Sequence, residues 1–345
     1  MSAFLAIVRL DDAPVEAELV ERLTTALRYR ARDGEATWCE GVAGLGFACR
    51  RTTHQARFER QPCSTDGRTW LAGDIRVDAR EDLVRRLGIE KDTDLDTHPD
   101  SRLLLAALDA WGAAALDRVL GDYSFAYWNV EARRLFAARD PFGMRTLYYA
   151  ALPDQVVLSN SLHAIRCHPQ IDDAPCETAM ADFLATGDQR MIDKTVTPYA
   201  AIRSVPEGHA LVVSDGRFQI RRWWQQTLPS FDRHLGSERE AVDAFREVLT
   251  LAVRDRMRND RVAISMSGGM DSSAIAALAV EAGAASCELR ALTVVWDRLD
   301  VTRERDLAAQ VAERLGIPIE FFPADDETFA DTPPATLRPT EVYTP

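Results

Sequence analysis

Along the first two hundred residues the apolar positions fall into short runs at 3–8 (AFLAIV), 44–50 (GLGFACR), 68–75 (RTWLAGDI), 122–130 (DYSFAYWNV), 134–139 (RLFAAR), 146–152 (TLYYAAL) and 155–160 (QVVLSN). Short apolar runs bounded by polar and turn-forming residues predict strands. Helical spacing interrupts them at 16–30, 78–87 and 101–116. Strands in series with helices inserted between them predict a sheet-rich α+β layer structure for a first domain, 1–224. The polar stretch 225–236 reads as a linker. Ser237, with Glu240 three residues on, then opens a helix by the capping-box signature, and a 3.6-residue apolar rhythm carries it to 257.

From Arg261 the pattern becomes strict alternation: strand 261–266, helix 272–282, strand 289–296, helix 303–315, strand 317–322. Alternation of this kind predicts a parallel sheet with helices packed on it. The chain then runs out in the prolines of DDETFADTPPATLRPTEVYTP, so the second domain, 237–345, reads as incomplete at its C-terminal side.

Bulk properties narrow the class. A chain of 345 residues fits two domains, and 46% hydrophobic with 28% charged residues is the composition of a soluble globular protein. A net charge of −13 argues against nucleic acid or an acidic membrane as a general partner. No apolar run approaches the roughly 18 residues that a membrane helix needs. The N-terminus MSAFLAIVRLDD lacks a basic segment and turns acidic at Asp11 and Asp12, so it reads as a first strand and not a signal peptide. The six cysteines contain no CxxC pair and read as reduced thiols of a cytoplasmic protein, and the CHP at 167–169 reads as a loop. RRWW at 221–224 could stack on nucleic acid; in so acidic a chain it reads as a packing strand. Asp297, Asp300, Glu304 and Asp306 could orient a metal or an amine, or be plain solvated acids.

The candidate chemistry lies at 265–273, SMSGGMDSS, between a strand and a helix. Gly268 and Gly269 let backbone N–H groups approach a ligand without a Cβ in the way. The helix that follows turns its free N–H donors and positive dipole end to the same point. Ser265, Ser267, Ser272 and Ser273 add hydroxyls suited to phosphate oxygens, and Asp271 can hold a Mg²⁺ ion that bridges phosphates. On composition alone a glycine turn with a simple helix cap remains the alternative. A GxxxxGK[ST] loop is excluded, because no lysine or arginine lies between Ser265 and Ala285.

SGGMDS resembles the PP-loop of N-type ATP pyrophosphatases, which split ATP between its α and β phosphates and leave an adenylated carboxylate or amide. That resemblance implies ATP and Mg²⁺ as cofactors and puts Val294 or Val295, in ALTVVW, in an adenine pocket. Upstream, LGDYSFAYWNVEARRLFAARDPFGMRTLYY (120–149), LAGDIRVDAREDLVRRL and HPDSRLLLAAL resemble segments of class II glutamine amidotransferases, especially asparagine synthetases. The implied plan is an N-terminal-nucleophile (Ntn) αββα sandwich followed by a partial Rossmann-like α/β PP-loop domain.

The departures from that family bear on function. The cysteine that follows Met1 in its glutaminases is Ser2 here. The oxyanion asparagine falls at Ala72, and the substrate-carboxylate arginine falls near Ala48 or Cys49. Gly73, Asp74 and Asp100 persist as a vestigial glutamine site. A serine activated by its own amine can serve as nucleophile, but loss of one oxyanion donor costs roughly 10²–10³ in rate. The glutaminase half is therefore expected to be inactive. Two relatives of asparagine synthetases, β-lactam synthetases and lasso peptide cyclases, use an amine already in the substrate. The resemblance thus implies a carboxylate adenylated by ATP, with release of pyrophosphate, and attack by a substrate amine, most specifically macrolactam closure of a lasso precursor peptide. Asparagine synthesis and a non-catalytic nucleotide- or peptide-binding role are the alternatives. The expected partners are a small molecule or peptide bearing a carboxylate and an amine, a precursor peptide with its protease, and a second copy in a homodimer. The 345-residue chain alone is expected to bind nucleotide weakly and turn over nothing.

Overall fold

A computed structural model describes residues 1–90, 94–186, 193–227, 236–283, 287–298 and 303–325. Asp300, most of the 225–236 linker and the tail from 326 lie outside the described residues. The described chain divides into two compact units, the first running from Met1 to Thr227.

In the first unit, β1 (Ala3–Arg9), β2 (Glu35–Glu40), β3 (Ala43–Ala48), β7 (Tyr148–Ala151), β8 (Gln155–Ser159) and β9 (Arg203–Ser204) form an antiparallel sheet in the order β2-β3-β1-β8-β7-β9. A second antiparallel sheet holds β4 (Thr69–Asp78), β5 (Leu120–Asn129), β6 (Arg134–Arg139), β10 (His209–Ser214) and β11 (Arg217–Arg222), in the order β11-β10-β6-β5-β4. Phe4, Ala6 and Val8 of β1 meet Trp128, Leu135 and Leu211 between the sheets. Ala3, Leu5 and Ile7, on the opposite face, pack against α1 (Ala17–Thr25) and α4 (Leu162–Arg166). Tyr123 and Phe125 of the second sheet face α2 (Arg80–Leu87) and α3 (Asp100–Trp111). A further helix, α5 (Glu177–Thr186), follows α4 in the chain. The order of layers is therefore helix, sheet, sheet, helix, the αββα sandwich. Its central strands are buried on both faces, which is why they read as unbroken apolar runs instead of alternating ones.

Several boundaries differ from expectation. Helix α1 stops at Thr25, whose neighbour Thr24 turns its hydroxyl back to the Val20 carbonyl at 2.7 Å. The helix lies directly on β3, where a Cβ at Gly44 or Gly46 would run into Val20 or Thr24. Strand β4 continues to Asp78, through the start expected for the next helix, and Ala79 at φ 48° turns the chain into α2. The segment 101–116 is helical only to Trp111 and closes in a 3₁₀ turn. Strands β10 and β11 form a hairpin on Asp215-Gly216, both at positive φ, the two-residue turn that an Asp-Gly pair favours.

In the second unit α6 (Glu238–Arg256) begins with the full capping box: Ser237 Oγ accepts from Glu240 N at 3.3 Å and Glu240 Oε2 accepts from Ser237 N at 2.6 Å. Strands β12 (Arg261–Ser265), β13 (Glu288–Val295) and β14 (Ile319–Pro323) are parallel and adjacent in that order. Helices α7 (Met270–Gly283) and α8 (Glu304–Leu315) connect them, and Ile264, Leu289 and Ala291 of the sheet pack on Ala276, Ala308 and Ala312. Among the described residues no helix is long and apolar enough to cross a membrane.

Candidate functional site

The first unit gathers polar groups around its N-terminus. Ser2 sits one residue ahead of β1, and both neighbouring strands extend their ladders onto it. From the β8 side, Asn160 Nδ2 donates to Ser2 O at 3.0 Å and Oδ1 accepts from Phe4 N at 3.0 Å. From the β3 side, Arg50 N donates to Ser2 Oγ at 3.1 Å, and Ser2 Oγ donates to Arg50 O at 3.4 Å. Burial holds the Met1 α-amine below its usual value; Asp74 pulls it up, while Arg50, Arg145 and Arg30 push it down further.

Arg145 is delivered by the turn after β6. Asp140, almost fully buried, accepts from Phe142 N, Met144 N and Arg145 N at 2.9–3.1 Å. Arg139 donates to the carbonyls of Gly143, Arg145 and Val205 at 2.6–3.0 Å. The ARDPFG stretch is thus a shelf tied from both sides, and it sets Arg145 Nε 3.5 Å from the buried carboxylate of Asp74. Trp223 Nε1 donates to Arg139 O at 3.3 Å and Trp224 leans on Phe142, so RRWW backs this shelf.

Along the outer edge of β4 the polar groups are spoken for. Gly73 N donates to Gln61 Oε1 at 2.6 Å, and Gln61 Nε2 donates to Gly73 O at 3.2 Å. Asp100 accepts from Val77 N at 3.2 Å and pairs with Arg80 Nε at 3.1 Å. Arg80 also donates to the Leu95 and His98 carbonyls. Ala72 points its methyl into the core between the sheets. Structure therefore brings Asp74 to the N-terminus, while Gly73 and Asp100 are engaged with partners of their own. Sequence reasoning missed Arg50, Arg145, Asn160 and Gln61. Arg50 stands directly after Cys49, where an arginine was sought one or two positions too early.

In the second unit, SMSGGMDSS leaves the C-terminal end of β12 and enters α7. Gly268 has φ +74°, and a Cβ there would lie 2.6 Å from Ala308 N and 2.7 Å from Leu307 Cβ. Only glycine lets the loop lie so close to α8. Ser267 and Ser272 hydroxyls meet at 3.2 Å, Ser267 N donates to Ser272 Oγ at 3.2 Å, and Ser273 Oγ donates to Gly269 O at 2.7 Å. Ser265 is exposed at the strand end and Asp271 is exposed in the first turn of α7. Among the described residues no three acids, histidines or cysteines cluster as metal ligands. Asp271 would therefore hold Mg²⁺ only together with phosphate oxygens and water, the usual way that ion is bound. Val294 and Val295 fall on opposite faces of β13, Val294 half-exposed and Val295 buried, so only Val294 can line an open pocket. Asp297 is held by both arms of Arg305 at 2.7 and 2.8 Å, which keeps its carboxylate below the usual range.

The glutamine amidotransferase domain family matches residues 1–224, and the asparagine synthase family matches 244–342. Asparagine synthetase [glutamine-hydrolyzing] 3 of Bacillus subtilis is 26% identical over 268 residues, which cover 76% of this chain and 42% of that protein. Amidase chry2 of Gibberella zeae is 26% identical over 251 residues, 68% of this chain and 36% of its own. The chain thus spans less than half the length of these curated relatives. Among solved structures, the Bacillus subtilis glutamine phosphoribosylpyrophosphate amidotransferase superposes with a TM-score of 0.46 at 16% identity, over 92% of this chain and 65% of that one. The chain belongs to the asparagine synthetase family, with a glutamine amidotransferase domain ahead of an asparagine synthase domain.

Proposed function

We propose that this member of the asparagine synthetase family is an ATP-dependent carbon–nitrogen ligase that adenylates a substrate carboxylate and closes an amide with an amine of the same substrate, the macrolactam ring of a lasso precursor peptide. The observation that carries the reading is the placement of Gly268: its positive φ and contact with α8 hold a glycine loop at the C-terminal end of a parallel strand, directly before a helix N-terminus. Anions bind at such junctions because free N–H donors and the helix dipole converge there. A pyrophosphate group would take over the hydroxyls that Ser267 and Ser272 now share, with Ser273 at the rim and Val294 toward the base. Mg²⁺ on Asp271 would supply charge neutralisation of the pyrophosphate.

The nitrogen source follows from the first unit. Ser2 replaces a thiol, Ala72 offers no donor, and the Ser2 hydroxyl is bonded to the Arg50 backbone. These features support a nitrogen donor other than glutamine, hence an amine of the substrate. Asparagine synthesis is the second reading, favoured by the names of the relatives.

ATP–pyrophosphate exchange by the full-length protein tests the proposal, with peptides carrying a free N-terminus and an internal Asp or Glu compared against L-aspartate. Exchange and cyclised product are expected with the peptide, and both should vanish in Asp271→Ala. Exchange confined to aspartate, with asparagine formed, would refute macrolactam closure. No exchange with either, and no ATP binding, would leave a non-catalytic binding protein.

A further inference from the structure

We propose that the free edge of β11 is a docking strand for an extended acidic segment of a partner polypeptide, one that carries acids at alternate positions. β11 ends its sheet and pairs with β10 on one side only. The two-residue turn between them makes Ser214 and Arg217 a hydrogen-bonded pair. Trp223 N donates to Gly208 O at 2.9 Å, so the same parity holds past the far end of the strand. Arg217, Gln219 and Arg221 therefore direct their backbone groups to β10, and the N–H and C=O groups of Phe218 and Ile220 point off the open edge. The other edge of this sheet is closed: on β4, Leu71 exchanges two backbone hydrogen bonds with Cys63 at 2.9 Å, and Gly73 is held by Gln61. Among the described residues none does the same for β11.

The side chains select the partner. Arg217, Gln219 and Arg221 share one face of the strand and are exposed, as is Arg222 after them. Arg221 Nη2 donates to Gln219 Oε1 at 2.8 Å. Among the described residues none of the three arginines forms an ion pair, although the chain as a whole has a net charge of −13. Charged side chains on an edge keep most strands from adding to it. When the charges are all of one sign, they reject basic strands and admit an acidic one. A strand laid beside β11 sets its side chains opposite those of β11, where opposite charges attract. Acids at alternate positions would meet Arg217 and Arg221, and the residues between them would fall on the side of Phe218 and Ile220. Those two are half-buried, with the Phe218 ring 5.8 Å from that of Tyr149, so apolar residues suit that side. A second copy of this chain is a poor occupant, because edge-to-edge pairing would set arginine against arginine. A polynucleotide offers phosphates to the arginines but no strand to complete the ladder.

The test uses the full chain and a labelled, capped peptide of alternating Glu and Val. Fluorescence anisotropy should show saturable binding that weakens as salt is raised, since the charge pairs are exposed. The same residues arranged in two blocks, and an alternating Lys-Val peptide, should not bind. Hydrogen exchange read by mass spectrometry should show 217–222 protected by the Glu-Val peptide. Arg217→Glu with Arg221→Glu should weaken that peptide about tenfold or more and admit the Lys-Val peptide. Ile220→Pro removes an N–H that β10 does not use, a place where an edge strand tolerates proline, and should abolish binding. If that variant does not fold, a peptide N-methylated at its valines makes the same test on the wild type and should not bind. Binding that survives N-methylation, protection confined to segments other than 217–222, or equal binding of the block peptide would overturn the proposal. So would tighter binding of a single-stranded oligonucleotide. Protection of 217–222 that grows with protein concentration in the absence of peptide would overturn it in favour of a second copy. None of these measurements involves ATP, so their outcome is separate from that of the ligase assay.

Discussion

Asn160 closes the gap between β8 and the chain start by donating from Nδ2 to the Ser2 carbonyl at 3.0 Å, while its Oδ1 takes the Phe4 N–H at 3.0 Å. One buried amide thus does the work of a further rung in the β1–β8 ladder. Asn160→Ala leaves a buried donor and acceptor unpaired, each costing about 1–3 kcal/mol. Urea unfolding should show a loss of about 2 kcal/mol or more, with Asn160→Asp also destabilising because it cannot donate to Ser2. A loss below about 0.5 kcal/mol, the range of neutral surface changes, would mean that Ser2 is not anchored this way.

Gly268→Ala is expected to abolish nucleotide binding. The left-handed backbone costs a residue with a Cβ about 1–2 kcal/mol, and the added atom would press on the α8 backbone at 2.6–2.8 Å, which cannot rotate away. Titration with a fluorescent ATP analogue reads the loss, and calorimetry should show the transition of the first unit unchanged. Undiminished affinity would show that the loop does not cradle phosphate.

Glu59 makes stability depend on pH in a predictable direction. Burial raises its carboxyl above the usual 4.5, against the lowering effect of its bond from Ser101. The folded state therefore binds the proton more tightly than the unfolded one, so this group favours folding at acid pH. Its contribution shrinks as pH rises from about 4.5 through the raised folded value. Glu59→Gln should flatten that part of the stability profile, measured by denaturant midpoints across the window. An unchanged slope would remove Glu59 as its source.

Thiol reactivity should rank by burial. Burial pushes the Cys63 thiol up to about 12 and Cys49 up to about 11, and both are nearly inaccessible. Cys167 is exposed beside His163, at 3.8 Å. Since the thiolate is the reactive form, mass mapping after brief alkylation of the native protein should find Cys167 modified first and Cys63 last. Early labelling of Cys63 would show that the cover over the β4 edge opens.

Much of the site was legible where its signal was local. The glycines and serines of SMSGGMDSS are consecutive, and the strand before them and helix after them follow from short-range pattern; the packing of Gly268 on α8 adds the reason for its glycine. The ARDPFG shelf was visible as a motif, but its cargo, Arg145, was not, because a motif does not show where its last side chain points. Gln61 and Asn160 carried no sequence signal at all. Each is one polar residue in a loop, and its role comes from the strand edge that the fold sets beside it. An Asp-Gly pair marked the β10–β11 hairpin and could have been used.

The break between a sheet-rich first domain and a second domain of alternating strands and helices, and the phosphate-type loop, are determined by the sequence pattern alone, whereas the αββα order of layers was what the family resemblance implied. Periodicity and turn chemistry act over a few residues and need no knowledge of what lies across the sheet. Tertiary structure decided which of the candidate groups are available. Asp100 could face a ligand on paper, yet Arg80 and the Val77 N–H hold it. Gly73 could present a free N–H, yet Gln61 takes it. Val294 and Val295 are equivalent as letters, and the pleat exposes one while burying the other. Each outcome depends on a contact between segments brought together only by folding, and burial makes such contacts obligatory, because a polar group taken from water must find a partner wherever the fold supplies one.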